Sequence, residues 1–252
     1  MTGDLVGLDI VDRRATIELN RPEKLNALNL ELVASLEEVA QRVSAERSVD
    51  IVVVRGRGRS FCAGLDLDMF AAEGMSQEFY RRQEGGFRLL ETMDKTVIAA
   101  IRGYCLGGGV QLAAACDIRV ASGDSVIGLP AVDEGLFPGM APYRLPRLIG
   151  KGRAASLILT GEQISAEEAR GIGLVDHLVD AANFDDQLGD VVDAYARAPR
   201  QAAAASKRLM ASSYDAPFEA ALRESEALLD ECLRSPGVAR ARAGWANRSR
   251  RR

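Results

Sequence analysis

The sequence predicts an α/β fold over residues 1–182, followed by a C-terminal α-helical region over residues 183–252. In the first region, short segments typical of strands occur in pairs, and segments with helical spacing separate the pairs. Beyond residue 183 no strand-like segment remains, and residues 218–232 carry apolar side chains on one helix face. A chain of 252 residues can form one large domain with an appendage.

Two alternating segments, residues 5–10 and 14–20, open the chain and predict a pair of strands. Apolar residues then recur every three or four positions over residues 32–43, which predicts a helix. Residues 51–54 form a short apolar run that predicts a buried strand.

The same signals predict the later elements. In order they are a helix with an interruption over residues 69–95, a strand over 96–101, a helix over 110–116, strands over 117–122 and 125–129, an irregular proline-rich segment over 130–146, a helix over 150–159, a helix opened by a capping box at 165–168, and a strand around His177 at a solvated edge.

Composition and charge exclude several classes of protein. The net charge of −4 gives no reason to expect nucleic acid or a membrane surface as a partner. No apolar run reaches the roughly 18 residues of a membrane span, and no stretch resembles a signal peptide. The four cysteines form no CxxC pair and lie in apolar surroundings, which is typical of reduced thiols. We therefore expect a cytoplasmic protein.

The single histidine, His177, limits the available chemistry. Histidine-based triads and multi-histidine metal sites need imidazoles, so we expect neither, and we expect no metal site. The chain also lacks the phosphate-binding loop, the dinucleotide fingerprint, the HExxH zinc motif and the GxSxG elbow. Nucleotide hydrolysis, dinucleotide redox chemistry and zinc hydrolysis are therefore not expected.

Three consecutive glycines, at positions 107–109, separate the predicted strand over 96–101 from the predicted helix over 110–116. Glycine lets the backbone approach a ligand closely, and a helix N-terminus directs unpaired N–H groups towards it. Such an end favours negative charge. The stretch predicts an anion or oxyanion site, and the alternative is a tight turn in which glycine serves only packing.

Several short motifs follow one another along residues 20–175. They are Asn-Arg-Pro at 20–22 with Asn-Ala-Leu at 26–28, Ser-Phe-Cys-Ala-Gly-Leu-Asp-Leu at 60–67, Gly-Tyr-Cys-Leu-Gly-Gly-Gly at 103–109, Cys-Asp-Ile-Arg-Val-Ala at 116–121, Pro130, Gly-Leu-Phe-Pro-Gly at 135–139, Leu-Thr-Gly at 159–161 and Ala-Arg-Gly-Ile-Gly-Leu-Val at 169–175. Each motif alone is weak, but the ordered set resembles the crotonase family, also called the enoyl-CoA hydratase/isomerase superfamily.

The resemblance implies a spiral of ββα units, with a C-terminal helical region that helps to build a homotrimer or a dimer of trimers. It implies an acyl-CoA thioester as the ligand, with coenzyme A present only as part of the substrate and no permanently bound cofactor. The face over residues 218–232 would then pack on another subunit, although an intrachain core explains it equally well.

The resemblance also implies an oxyanion hole made by the backbone N–H groups of Leu65 and Gly108. Donors at that point polarise the thioester carbonyl towards an enolate. The residues implied for binding the substrate and its coenzyme A are Lys24, Leu25, Ala27, Ala63, Gly64, Asp66, Leu67, Tyr104, Gly107, Pro130, Leu136 and Gly139.

The chain departs from the family pattern at two positions. Hydratases of the family carry two glutamates, and their motif positions fall on Gln111 and Ala131 here. An amide can orient water but cannot take a proton near neutral pH, and alanine can do neither. Because acid–base assistance contributes roughly 10²–10⁴-fold to a rate, simple hydration of an enoyl-CoA is not expected.

Three interpretations remain open. In the first, another carboxylate replaces the glutamates: Asp133, which would share the face of Ala131 if the segment is extended, Glu134 beside it, or Asp66 or Asp68. In the second, the reaction is a decarboxylation that needs mainly enolate stabilisation. In the third, the protein binds acyl-CoA without converting it.

Overall fold

The structure is a computed structural model and describes residues 4–239 and 241–242. The strands are β1 (Val6–Val11), β2 (Arg14–Leu19), β3 (Ile51–Gly56), β4 (Thr96–Ile101), β5 (Tyr104–Leu106), β6 (Ile118–Ser122), β7 (Val126–Gly128), β8 (Gln163–Ser165) and β9 (His177–Val179). The helices are α1 (Leu30–Ala45), α2 (Leu67–Glu73), α3 (Gln77–Thr92), α4 (Gly108–Ala114), α5 (Ala141–Ile149), α6 (Lys151–Thr160), α7 (Ala166–Gly171), α8 (Phe184–Ala196), α9 (Arg200–Ser212) and α10 (Phe218–Leu233).

The strands form two sheets between which the chain alternates. The larger sheet has the order β1-β2-β3-β4-β6-β9, and the smaller has the order β5-β7-β8. Strands β4 and β5, then β6 and β7, are consecutive in sequence, and each pair supplies one strand to each sheet. Successive turns of the chain therefore build the two sheets side by side, which confirms the predicted α/β class.

The central strands β3, β4 and β6 of the larger sheet are buried on both faces, which explains their nearly continuous apolar sequences. In β3, Val52 and Val54 belong to the main hydrophobic core, whereas Ile51 and Val53 belong to a second apolar cluster. Phe184 of α8 completes the second cluster. The helical region predicted from residue 183 therefore begins with a helix that packs on the sheet.

The segment over residues 130–146 is more regular than predicted. Pro130–Val132 forms one turn of 3-10 helix, and α5 begins at Ala141 despite Pro142 and Pro146. Pro142 is tolerated because the first helical turn has no use for its missing N–H. Asp133 would share the face of Ala131 only if the backbone were extended. Because the backbone forms a 3-10 turn here, this condition is not met.

The predicted interruption of the helix over residues 69–95 lies at Gly74–Ser76, between α2 and α3. Gly85 and Gly86 do not break α3. A Cβ atom on Gly86 would lie 3.3 Å from the Cα of Glu37, so this glycine lets α3 pack closely on α1. His177 begins the edge strand β9 as predicted, but its ring is half-buried, with Nε2 lying 3.0 Å from the Tyr195 hydroxyl.

From residue 184 onwards, the described residues contain helices α8, α9 and α10 and no strand, as predicted. Helix α10 carries exposed apolar side chains at Phe218, Leu222, Leu229 and Leu233. The packing of this face on another subunit stays a prediction. Residues 243–252 of the helical region lie outside the described part of the chain. Among the helices that the structure describes, none has the length and apolar character needed to cross a membrane.

Candidate active site

Two backbone segments meet at the carboxyl end of the strands, the loop over residues 62–66 and the turn over residues 106–108. The N–H of Leu106 donates to the carbonyl of Cys62 at 2.9 Å, which ties the segments together. A Cβ atom on Gly64 would lie 2.8 Å from the carbonyl oxygen of Leu106 and 3.3 Å from the nitrogen of Gly108. Only glycine permits this approach, and Gly64 also has a φ of +94°, which side chains disfavour.

The neighbouring backbone groups fix the direction of the Leu65 peptide. The N–H of Leu28 donates to the Gly64 carbonyl at 2.7 Å, and the N–H of Asp66 donates to the Leu28 carbonyl at 2.9 Å. Within residues 4–239 and 241–242, the N–H groups of Leu65 and Gly108 have no acceptor. Gly108 is the first residue of α4, where an N–H lacks an intrahelical partner. Two free donors therefore lie on adjoining segments.

The residues that carry these two donors, Leu65 and Gly108, line a cavity of about 130 Å³. Most of its lining side chains are apolar. The lining residues are Ala63, Gly64, Leu65, Leu67, Met75, Phe79, Tyr80, Gln83, Gly107, Gly108, Gln111, Pro130, Ala131, Glu134, Leu136, Phe137, Pro138 and Gly139. The two loops, the start of α4, helix α3 and the segment over residues 130–139 thus converge on one small space.

The structure places most of the predicted site residues on this cavity. Leu65, Gly108, Gln111, Ala131 and Glu134 line it. Of the predicted binding residues, those that line it are Ala63, Gly64, Leu67, Gly107, Pro130, Leu136 and Gly139, and those that do not are Lys24, Leu25, Ala27, Asp66 and Tyr104.

Gln111 lies on the first turn of α4 and is 5% exposed. Its Oε1 accepts a hydrogen bond of 3.0 Å from the N–H of Met140, at the start of α5. A Cβ atom on Gly139 would lie 2.7 Å from the same oxygen, so glycine makes room for the amide. The amide is therefore held in one orientation at the cavity wall.

Three of the predicted catalytic positions, Ala131, Asp133 and Glu134, lie in the 3-10 turn or just after it, and the structure places them differently. Ala131 lines the cavity with a methyl group and supplies no polar atom. Glu134 is exposed and lines the cavity. Asp133 does not, because its carboxylate lies against Gly161, where a Cβ atom would meet Oδ2 at 2.7 Å. Among the described lining residues, Glu134 is the one carboxylate.

Asp66 has a structural task that sequence reasoning did not find. Its carboxylate accepts hydrogen bonds from the N–H groups of Asp68 and Met69 at the start of α2, and it pairs with Arg21 at 2.8 Å. Burial raises the pKa of Asp66, but the hydrogen bonds from Arg21 and from the backbone outweigh it and lower the pKa below its ordinary value. The carboxylate therefore stays ionised and bound to these partners.

The loop before α1 is held by a buried side chain. Asn26 donates to the carbonyls of Arg57 and Ser60 at 3.0 Å and 2.8 Å, and it accepts from the Arg21 N–H at 2.9 Å. The Asn-Arg-Pro and Asn-Ala-Leu motifs therefore serve loop geometry. Lys24 at the surface of this loop is ion-paired with Asp68.

Tyr104 lies on β5 with its side chain 41% exposed and does not line the cavity. Its carbonyl accepts a hydrogen bond of 3.0 Å from the N–H of Cys62. The contribution of this residue in the structure is therefore through its backbone, which supports the loop over residues 62–66.

Helix α3 supplies three lining side chains that sequence reasoning missed, Phe79, Tyr80 and Gln83. Gln83 follows Phe79 by four positions and Tyr80 by three. This spacing was the sequence signal available, because it predicts that the three side chains share one face of a helix. Burial raises the pKa of the Tyr80 hydroxyl, and the nearby Glu84 carboxylate raises it further. Tyr80 is therefore neutral at physiological pH. Met75 also lines the cavity and carried no sequence signal, whereas Phe137 and Pro138 line it from within the Gly-Leu-Phe-Pro-Gly motif.

The cysteines behind the glycine loop do not form a nucleophilic site. Burial raises the pKa of Cys62 and of Cys116 to about 12, so both thiols stay protonated. Burial raises the pKa of Cys105 as well. The polar chemistry of the cavity therefore comes from backbone N–H groups, amides, one phenol and one carboxylate.

Comparison with known proteins identifies the family of the chain. Residues 13–246 match the model of the family described as enoyl-CoA hydratase/isomerase. The chain belongs to the enoyl-CoA hydratase/isomerase family. The resemblance found in the ordered motifs is thereby confirmed, and with it membership of a family of enzymes that act on coenzyme A thioesters.

Two relatives and one solved structure show the extent of the similarity. A crotonyl-CoA hydratase of Syntrophomonas wolfei is 38% identical over 68% of each chain, and a short-chain-enoyl-CoA hydratase of Clostridium acetobutylicum is 34% identical over 87% of this chain and 85% of its own. The structure of an enoyl-CoA hydratase of Mycobacterium smegmatis has a TM-score of 0.91 and 29% identity, covering 97% of this chain and 96% of that one. The chain thus has the fold of these hydratases almost throughout.

Proposed function

We propose that this protein binds a short acyl-CoA thioester and stabilises its enolate with the N–H groups of Leu65 and Gly108. The observation that carries the proposal is the pair of unpartnered donors at one end of an apolar cavity. Charge that develops on a thioester oxygen there would meet two preorganised dipoles. Removing one such donor typically raises a barrier by about 2.7–4 kcal/mol.

The size of the cavity supports a short acyl group. Its volume of about 130 Å³ is comparable with an engineered cavity of about 150 Å³ that binds benzene. Met75, Phe79 and Phe137 supply apolar contact for such a group. We therefore expect acyl chains of about four to six carbons to fit.

Proton transfer at the α-carbon is the reaction class that we favour, with Glu134 as the base. The α-carbon–hydrogen bond breaks, the proton moves to the Glu134 carboxylate, and the electron pair moves onto the thioester oxygen at the two N–H groups. In a 3-enoyl-CoA the enolate is conjugated with the β,γ double bond, so return of the proton to the γ-carbon would move the double bond to the α,β position and give an isomerisation. Hydration is disfavoured because Gln111 and Ala131 replace the glutamates that handle water in the family's hydratases.

A panel of thioesters tests the proposal. With butyryl-CoA in deuterium oxide, we expect α-proton exchange, followed by nuclear magnetic resonance, and with crotonyl-CoA we expect hydration far below that of a typical hydratase. Crotonyl-CoA turnover within tenfold of a typical hydratase would contradict the expectation. Release of carbon dioxide from malonyl-CoA without α-proton exchange would support decarboxylation instead. Stabilisation against heat by acyl-CoA without any product would support binding alone.

A matched pair of variants tests the backbone donor. Gly108→Pro removes the N–H at a helix position where proline is tolerated, and Gly108→Ala keeps the N–H. Both add a Cβ atom, which would lie 2.6 Å from Cδ1 of Leu28. We expect Gly108→Pro to exchange α-protons about 10²-fold more slowly than Gly108→Ala. Equal rates in the two variants would count against a role for this N–H.

A further inference from the structure

The orientation of the Gln111 amide is fixed by chemistry. The N–H of Met140 can only donate, so the atom 3.0 Å from it is the amide oxygen. Rotating the amide would set its NH₂ group against another donor. The side chain is 5% exposed, and room for a second arrangement is limited by the Tyr80 ring, since both groups lie against Gly139.

The amide nitrogen of Gln111 is left to the cavity. Within residues 4–239 and 241–242, Nε2 has no hydrogen-bond acceptor, and it is not among the buried side-chain atoms that lack a partner. Since Gln111 lines the cavity, this nitrogen faces the space that a ligand would occupy. Gln111 therefore offers that space the hydrogen-bond donors of Nε2, while its oxygen is engaged by the N–H of Met140.

The position of Gln111 on α4 places these donors next to the oxyanion hole. Gln111 follows Gly108 by three residues, and residues three apart lie on the same helix face, about 5–6 Å apart between Cβ positions. A thioester oxygen held by the Gly108 N–H would bring the α- and β-carbons of the acyl group towards Gln111. A substituent on one of these carbons could therefore meet Nε2.

The charges around the cavity favour a neutral substituent. Among the described lining residues there is no lysine, arginine or histidine, and Glu134 supplies a negative charge. A carboxylate on the ligand would lose water without gaining a cation, which is costly. A ketone oxygen accepts hydrogen bonds, carries no charge and matches a group that only donates.

We propose that Gln111 is a specificity-determining residue that selects acyl groups with a neutral oxygen acceptor beside the thioester, as in a 3-oxoacyl-CoA. This inference rests on the proposed acyl-CoA function. It assigns to the amide the task of reading the substrate, at the position where the family's hydratases use a glutamate for proton transfer.

Matched ligands test the inference on the unmodified protein. Isothermal titration calorimetry measures the affinity for three ligands. Butyryl-CoA is the reference, 3-oxobutyryl-CoA adds one ketone oxygen, and malonyl-CoA carries a carboxylate. We expect 3-oxobutyryl-CoA to bind about threefold to tenfold more tightly than butyryl-CoA, the effect of one neutral hydrogen bond. We expect malonyl-CoA to bind no more tightly than butyryl-CoA.

Two variants assign the preference to Gln111. Gln111→Glu keeps an oxygen for the Met140 N–H but replaces the donors with a second acceptor, so the preference for 3-oxobutyryl-CoA should vanish or reverse. Gln111→Met is similar in length and has no donor, so the two ligands should bind equally. If the methionine variant fails to fold because the Met140 N–H loses its acceptor, the glutamate variant still gives the answer.

The possible outcomes separate this inference from the proposed function. Equal binding of butyryl-CoA and 3-oxobutyryl-CoA, an unchanged preference in Gln111→Glu, or tightest binding of malonyl-CoA would each overturn the role of Gln111 and leave the oxyanion hole standing. Failure of all three thioesters to bind would instead overturn the proposed function. A preference that disappears in Gln111→Glu supports the inference.

Discussion

The two halves of the cavity differ in what carries their chemistry. In the half formed by residues 62–66 and 106–108, backbone N–H groups face the cavity, and glycines set their positions. In the other half, formed by residues 130–140 and by Gln111 of α4, side chains face the ligand space, and Gln111 and Ala131 are the residues predicted to replace the hydratase glutamates. If the proposed function is right, the site keeps its backbone donors while its acid–base side chains differ from those of the hydratases.

The reason lies in what each half needs in order to fold. The contact between Gly64 and Leu106 leaves no room for a side chain, so substitution there disturbs the backbone. The 3-10 turn that carries Ala131 is held by backbone bonds, such as that from the N–H of Leu136 to the Ala131 carbonyl at 2.8 Å. The side chain at position 131 can therefore change without loss of the turn.

The largest effect is expected from Gly64→Ala, which changes the half of the cavity formed by residues 62–66 and 106–108. The new Cβ atom would press on the Leu106 carbonyl, and α-proton exchange should fall by about 10²–10³-fold or more because both donors move. Gly74→Ala is the matched control, since Gly74 also has a positive φ, of +72°, but nothing lies within 4 Å of its Cβ position. A comparable loss of exchange in the control would show that backbone strain alone is responsible.

Glu134→Gln tests the side-chain half. Removing the one carboxylate among the described lining residues should slow α-proton exchange by about 10²-fold or more, the scale of acid–base assistance. Asp133→Asn alters the neighbouring carboxylate, which faces Gly161, and should leave the rate unchanged. If both variants keep the wild-type rate, the base lies elsewhere.

Placing glutamates at positions 111 and 131 tests whether the side-chain half of the cavity can be given hydratase activity. Gln111→Glu with Ala131→Glu should raise hydration of crotonyl-CoA by about tenfold or more, a part of what well-placed acid–base groups supply. Gln111→Glu with Val132→Glu is the control, because Val132 lies on the same turn but does not line the cavity. No gain in the restored variant would mean that the geometry of this half has also changed.

The smallest effect concerns the stability of the loop that supports Leu65. Asp66→Asn should lower the free energy of unfolding by about 1–3 kcal/mol, because the charged hydrogen bond with Arg21 is weakened. The pKa of Asp66 is depressed in the folded protein, so its stabilisation is complete above the ordinary carboxyl pKa of about 3.9 and is lost as the pH falls through the folded-state pKa.

Urea unfolding at neutral and acidic pH measures this effect, and the difference between wild type and variant should shrink in acid. Asp68→Asn, which removes the exposed ion pair with Lys24, should change stability little at either pH. A constant difference for Asp66→Asn at all pH values would contradict the assigned cause.

Much of the fold followed from local patterns. The strand pair β1–β2, the apolar face of α1 and the capping box that opens α7 were predicted because periodicity and caps act over a few neighbouring residues. Helix α5 was not predicted, because it contains Pro142 and Pro146 and the second of these lies inside the helix, where local patterns predict a break. The sequence did not locate the interruption of the helix over residues 69–95, because Gly74, Gly85 and Gly86 are all candidates, and the last two lie where α3 packs closely on α1.

The sequence by itself determined the family and the glycine turn before α4, because each is a matter of residue type in a fixed order, and it led to the prediction that Gln111 and Ala131 hold the positions of the hydratase glutamates. The tertiary structure decided which polar groups meet. It brought α3 to the cavity, turned Asp133 away and Glu134 towards the lining, and bound the Gln111 oxygen to Met140. Such choices depend on distances between segments far apart in the chain, and no local pattern contains them.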